Sequence, residues 1–348
     1  MRKETNKMVL SEAAVAKLGK VHRSAEEEIL DPEKPLANVI GLGIGVKWTD
    51  GEPTGTPALV VLVTQKLEKE QLSAEDLVPS EIKGVQTDVL AIGFPFAGGD
   101  VQGASTQTLA QRVRPVKGGY SVGHYQITAG TVATCVYDIL PGGTVSPPAP
   151  GIGTPSRYYI LSNNHVLANE NAASPGSPIL QPGPYDGGTD PADRIAKLSR
   201  FIPITFNPPV ALNKHRNIVD CAVAEGAFQD LNREIYWSSM VRGWRLKQNV
   251  LVGSFVKKTG RTTNFTTGRI VAINATVDVG YSGGKTARFR DQIITTNISA
   301  GGDSGSLVTT LDNVAVGLLF AGSSVATIVN QIENVRSMLR VEVAEQIL

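Results

Sequence analysis

Beyond Arg114 the chain almost never sustains a helical period. Short β-prone runs ("GTVATCVYD", "YYILSN", "NIVDCAVA", "LVGSFVKK", "GRIVAINATVDV", "DQIITTN", "SLVTTL", "VAVGLLFAG") alternate with clusters of Gly, Pro and Asn. β-Branched and aromatic residues suit a pleated, half-buried surface, and the intervening clusters turn the chain. Many short strands in succession can bury their faces only in a barrel or a sandwich. Helical spacing returns only in "IENVRSMLRVEVAEQIL", which predicts a C-terminal helix. The 36 glycines and 20 prolines in 348 residues fit this turn-rich architecture.

The first hundred residues have another texture. Residues 10–30 carry Ala, Leu, Glu and Lys at helical spacing and stop at "DPEKP". Two strand-like runs follow, "NVIGLGIGVKW" and "ALVVLVTQKL", joined by "TDGEPTGTP". Ser73 and Asp76, three apart, predict a short capped helix, and "TDVLAIG" a further strand. This reads as a small α+β domain over residues 1–98 and a Gly-, Ser- and Gln-rich linker over 99–113. A β domain then fills 114–348, and a chain starting near Thr108 is expected to fold alone.

Several function classes are disfavoured. The net charge is +1 and the cationic residues are scattered, so there is no electrostatic footprint for nucleic acid or an anionic membrane. "MRKETNKMVLSEAAVAKLGK" never becomes a continuous apolar stretch, which predicts no signal peptide. No later run approaches the roughly 20 apolar residues of a membrane span. Cys135 and Cys221 are too few for a metal site and are expected as buried free thiols, pointing to the cytoplasm. "GLGIGV" fails as a dinucleotide motif, because Val46 stands where the third glycine belongs. "GGKT" fails as a phosphate loop, because Val279 replaces its first glycine. No metal and no cofactor is expected.

What survives is "GGDSGSLV", Gly301 to Val308, a polar glycine-framed turn at the mouth of a strand. Nucleophilic catalysis by serine needs a base, an acid that orients the base, and backbone donors for an oxyanion. The N–H groups of Gly302 and Ser304 suit that last task. Of the four histidines, His22 lies in a charged helix and reads as solvated, His215 sits in a polar loop, and His124 near a strand reads as structural. His165, ending the strand "YYILSN", has the setting of a base. Asp186, Asp190 and Asp193 fall in "QPGPYDGGTDPAD" and read as exposed. Asp220, inside the apolar run "NIVDCAVAE", must have a partner if buried, and His165 is the economical one.

These segments resemble the chymotrypsin-like (trypsin-like) serine peptidases of bacterial and intracellular type. "ILSNNHVL", "VDCAVA" and "GGDSGSLV" are similar to the histidine, aspartate and serine segments, in the family's order. "KKTGRTTNFTTGRI" is similar to the opening of the second barrel in bacterial members and in plant proteins of the narrow-leaf type. The resemblance covers roughly residues 114–348 and implies a double β-barrel preceded by the small α+β domain. It implies a serine endopeptidase with His165, Asp220 and Ser304 as catalytic residues. Gly302 and Ser304 N–H would form the oxyanion hole, with Asp303 anchoring that loop. Phe320, Ala321 and Gly322 would pair with a peptide substrate as an added strand. Ile298, six before Ser304, would form the base of the specificity pocket with Ser299 beside it, and with no acid there an apolar residue is expected before the cleaved bond. The substrate would be a protein or peptide, and a homo-oligomer is compatible with the pattern.

Three departures from the family are visible, one being the absence of the disulfide that commonly braces the histidine loop, as expected in a reducing compartment. Ser306 replaces the usual glycine after Gly305, and in "RVRPVKGG" the arginine precedes a proline, so activation through a new N-terminus is not expected. The rival readings are a catalytically silent pseudopeptidase that binds peptides and an esterase using the same three residues.

Overall fold

The computed structural model describes residues 7–99, 108–127, 129–140 and 155–348. The expected linker falls mainly on residues 100–107, outside the described residues. The chain is mainly β, as two barrels with a helix and further strands added to the second.

The first helix, α1 (Glu12–Ile29), starts where the Ser11 side chain accepts a hydrogen bond from the Ala14 N–H at 3.2 Å. Leu18, His22, Ala25 and Ile29 share one face and are all buried. His22 is therefore not solvated, because helical spacing places it on the apolar stripe. The helix expected at Ser73 does not form. The Ser73 hydroxyl donates to Asp76 Oδ2 at 2.7 Å, and Asp76 Oδ1 accepts from the Ala37 N–H at 2.8 Å instead of capping a helix.

The first barrel is an eight-stranded sheet. Its order is Val341–Glu342, Cys135–Asp138, Tyr158–Ser162, Ala222–Gly226, Arg194–Phe201, Pro178–Leu180, Ser121–His124 and Gly130–Thr131. Val122, Ile160, Ile179, Leu198 and Ala224 fill its core. In the second barrel, Phe255–Gly260, Leu307–Thr310, Val314–Gly322, Ala326–Gln331, Thr286–Thr296 and Asn264–Gly280 pair in that order. The last returns to the first, with Gly260 opposite Asn264, so the six strands close on themselves, while the far half of Asn264–Gly280 extends past the closure and takes a further strand.

The C-terminal helix is shorter than expected. It covers Ile332–Leu339 and stops at Arg340, which is left-handed with φ 56°. The chain then adds Val341–Glu342 to the first barrel, tying both barrels together.

The N-terminal strands do not stand apart. Val39–Thr49 pairs antiparallel with Asn264–Gly280, with Gly41 opposite Val277 and Ile44 opposite Ile273. The glycines of "GLGIGV" serve this approach, since a Cβ on Gly41 would lie 2.4 Å from the Thr276 carbonyl oxygen. Glu52–Val63 and Val85–Ala91 continue the same sheet. Leu42, Ile44, Leu59 and Val61 share one core with Leu18, Ala25 and Ile29 of α1 and with Ile270, Ile293 and Val329 of the barrel. The change of texture near Gly98 is thus a boundary in sequence, while strands from both sides of it form one sheet. A chain starting at Thr108 would bare the 273–277 edge and the apolar residues beneath it. Such a chain is expected to aggregate or self-associate on gel filtration, and a soluble, cooperatively unfolding monomer would refute this.

Three further histidines are buried, and desolvation lowers the pKa of His22, His124 and His215 alike. Nδ1 of His124 accepts from the Gln126 N–H at 3.3 Å, and Nδ1 of His215 from the Arg288 N–H at 3.2 Å, so both are held neutral. Each would take up its proton on unfolding, so their contribution to stability is present above the unfolded value of 6.5 and is lost as pH falls. Unfolding free energy is expected to drop between about pH 6.5 and pH 5, by up to about 1.4 kcal/mol per pH unit per histidine. Urea titrations that give a flat profile across that window would contradict this. Cys135 and Cys221 are free and buried, and burial pushes the Cys135 thiol up to about 11 and that of Cys221 well above its usual value.

Candidate active site

The register of the first barrel brings His165 and Asp220 together. Ala222 pairs with Ser162 at one end of adjacent antiparallel strands. Asp220 precedes that end and His165 follows it, on the short helix α2 (Asn164–Leu167). The His165 Nδ1–Asp220 Oδ2 distance is 2.6 Å, and Asp220 Oδ1 accepts the His165 backbone N–H at 3.2 Å. The Asn163 side chain donates to the Asp220 carbonyl at 2.8 Å, and Asp220 N–H donates to Asn330 Oδ1 at 3.0 Å. Asp220 is fully buried.

A fourth participant has no counterpart in the sequence reading. Tyr281, at the end of the long strand of the second barrel, donates its hydroxyl to Asp220 Oδ2 at 2.8 Å. Burial and the neighbouring Asp220 push the Tyr281 phenol far up, so it stays a donor. The Asp220 carboxylate therefore receives three donors, and Nδ1–H is the tautomer they select. His165 Nε2 is left as a lone-pair acceptor, with no partner among the described residues.

Ser304 comes from the second barrel but is positioned by the first. Thr131 N–H donates to the Ser304 carbonyl at 2.7 Å, and Thr131 Oγ1 to the Gly302 carbonyl at 2.8 Å. Gly305 has φ +95°, and a Cβ there would sit 2.1 Å from Ser162 Oγ, so no other residue fits. Gly130 is where the two pieces meet: a Cβ on it would strike Val166 of α2 at 2.4 Å and the Ser304 carbonyl at 3.0 Å. The Ser304 hydroxyl donates a long 3.5 Å bond to the Phe320 carbonyl. That bond points the hydroxyl at Phe320, and no hydrogen bond joins Ser304 to His165 among the described residues; a nucleophile–base bond is often long or absent until a substrate is bound.

Backbone donors in the serine turn are divided. The N–H groups of Asp303, Gly305 and Ser306 go to the carbonyls of Ala300, Leu319 and Asp303. Those of Gly302 and Ser304 make no hydrogen bond among the described residues. The Asp303 carboxylate is bonded from two neighbouring turns. Its Oδ1 accepts from Thr262 and Thr263 N–H at 2.8 and 3.1 Å, and its Oδ2 from Ala300 N–H at 3.0 Å. Lys258, wholly buried, places Nζ 3.3 Å from Asp303 Oδ2. Burial lowers the Lys258 pKa and Asp303 opposes that. A lysine inside the alternating run "SFVKKTG" was the available signal for this partner.

The rest of the expected pocket divides by strand alternation. A cavity of about 410 Å³ beside Ser304 is lined by Asn297, Ser299, Ala300, Leu319, Ala321 and Gly322 among others. Ile298 and Phe320 do not line it. Ile298 is 3% exposed and joins the core shared with α1, while Phe320 packs on Phe289 with ring centroids 4.8 Å apart. Asp186 is not exposed either: its side chain is buried against Arg261. Asp190 and Asp193 pair with Arg194 and Arg112, away from His165.

A family model described as the NARROW LEAF 1 N-terminal domain matches residues 26–93. Protein NARROW LEAF 1 of Oryza sativa subsp. japonica is 24% identical over 303 residues, covering 77% of this chain and 48% of that protein. The chain thus spans about half the length of this curated relative. The expectation of a bacterial type finds no support there, since the relative is a plant protein. Among solved structures the chain is similar to Thermobifida fusca protease A, at 17% identity and a TM-score of 0.44 over 66% of this chain and 98% of that one. It is also similar to Cellulomonas bogoriensis chymotrypsin, at 17% identity and a TM-score of 0.42 over 66% and 99%.

Proposed function

We propose that this chain is a serine endopeptidase with Ser304 as nucleophile, His165 as base and Asp220 as the orienting acid. The observation that carries the reading is a buried imidazole clamped through Nδ1 by a triply bonded carboxylate, its Nε2 unpartnered. In the proposed reaction Ser304 Oγ attacks the peptide carbonyl carbon as His165 Nε2 takes its proton. Gly302 and Ser304 N–H groups stabilise the oxyanion, a contribution of about 3 kcal/mol per donor. The C–N bond breaks as His165 returns the proton to the leaving amine. Water, activated by the same imidazole, then releases the acyl group from Ser304.

Among the described residues no charged side chain lines the cavity at Ser304. The side chain before the cleaved bond is therefore proposed to be uncharged, with Asn297 and Ser299 accepting polar groups as readily as apolar ones. A cation would meet no countercharge and would lose several kcal/mol of hydration. An alkyl fluorophosphonate is expected to label one serine in the full chain, with labelling lost in Ser304→Ala and strongly reduced in His165→Ala. A folded chain that never labels, yet binds peptides, would make it a pseudopeptidase.

A further inference from the structure

Residues 94–98 lie across the strand position that a peptide substrate would take. Phe96 N–H donates to the Gly322 carbonyl at 3.0 Å, and Gly322 N–H donates back to the Phe96 carbonyl at 3.2 Å. This antiparallel bridge uses both free backbone groups of Gly322, at the end of Val314–Gly322. On the other side, Ala97 N–H donates to the Gly280 carbonyl at 2.9 Å, and Gly280 N–H to the Pro95 carbonyl at 3.0 Å. The segment is thus a short added strand between two glycines, the mode by which a sheet edge captures an extended peptide.

The side chains fit that role. A Cβ on Gly280 would lie 2.8 Å from both the Phe94 and Phe96 rings, so the glycine is a platform for them. Both residues remain partly exposed, at 48% and 37%, as those of a surface-bound ligand would be. Past Ala97 the chain reaches His165: a Cβ on Gly98 would stand 3.4 Å from Cδ2 of that ring and 3.9 Å from Nε2. Gly98 is left-handed, with φ +73°. Chain of that hand cannot continue as the extended strand a cleavable peptide requires. Phe96 and Gly99 instead stand at the rim of the cavity beside Ser304.

We infer that residues 94–98 are a built-in pseudosubstrate, which holds the site closed until it is displaced. The inference rests on the peptidase reading for its consequence, but the occupancy itself is a matter of peptide binding. Because the segment belongs to the same chain, it competes at an effective concentration in the millimolar range. External peptides therefore bind with an affinity reduced by the fraction of open sites. Four backbone hydrogen bonds hold the segment, each contributing about fivefold to its equilibrium.

The test uses the full chain and a fluorescent peptide of the sequence Phe-Pro-Phe-Ala-Gly-Gly. In a Ser304→Ala background, Phe96→Pro removes the N–H facing Gly322 and Ala97→Pro the one facing Gly280. Each is expected to tighten peptide binding about fivefold to tenfold. In the chain with Ser304 intact, the same changes should lower KM for peptide hydrolysis by a similar factor and leave kcat nearly unchanged. Hydrogen exchange of the Phe96 amide in the unaltered chain should accelerate at high peptide concentration. Unchanged or weaker binding in both folded variants, or an indifferent Phe96 amide, would overturn the inference. If peptide binding tightens but neither labelling nor hydrolysis is ever seen, the pseudosubstrate stands and the peptidase reading fails.

Discussion

Asp220→Asn is expected to cut peptide turnover by about 10⁴, while circular dichroism and unfolding stay close to those of the parent. An amide at this position can donate to His165 Nδ1, which would force the proton onto Nε2 and remove the base. The rival acids are otherwise engaged: Asp186 with Arg261, Asp190 with Arg194 and Asp193 with Arg112. A loss below tenfold would therefore mean that His165 is not the base, since none of these three rival acids stands ready. Tyr281→Phe removes one donor from the same carboxylate and leaves two. Its expected effect is a drop of about tenfold in kcat, with little change in KM.

The second large effect is at Lys258. Its ammonium sits with Asp303 in a fully buried pair, 3.3 Å apart, and donates to the Asn264 carbonyl at 2.9 Å. Lys258→Met would strand the Asp303 carboxylate, and breaking one side of a buried pair costs about 3–5 kcal/mol. The serine turn depends on that carboxylate, so turnover and fluorophosphonate labelling should fall with stability. Lys258→Met combined with Asp303→Asn should recover part of the stability, a coupling that a double-mutant cycle on urea unfolding would measure. Independent, additive effects would show that the lysine only fills space.

Most of the β architecture was legible because strand and turn signals are local. Alternating apolar runs bounded by Gly and Pro gave the strands, and the period of Leu18 to Ile29 gave α1. Local signals misled where a residue's partner lay far away in the chain. Ser73 reads as a cap until Asp76 is seen bonded to Ala37, and His22 reads as solvated until its helix face meets the barrel. Arg340 ends the last helix in the left-handed region, a choice that periodicity alone does not reveal.

The chemistry divides in the same way. The sequence by itself determined the glycine-framed serine turn, the strand-end histidine and the acid embedded in an apolar run, because each needs its own local backbone. Only the tertiary structure decided what surrounds them. Tyr281 reaches Asp220 across 61 positions, Thr131 holds the Ser304 turn across more than 170, and Ile298 turns inward while Asn297 and Ser299 face the cavity. Strand register sets these contacts, and register follows from how whole faces bury against one another rather than from any short stretch of chain. For the same reason the segment at Phe96 reads in sequence as the end of the small α+β domain, just before the linker, and as a bound strand once Gly280 and Gly322 stand on either side of it.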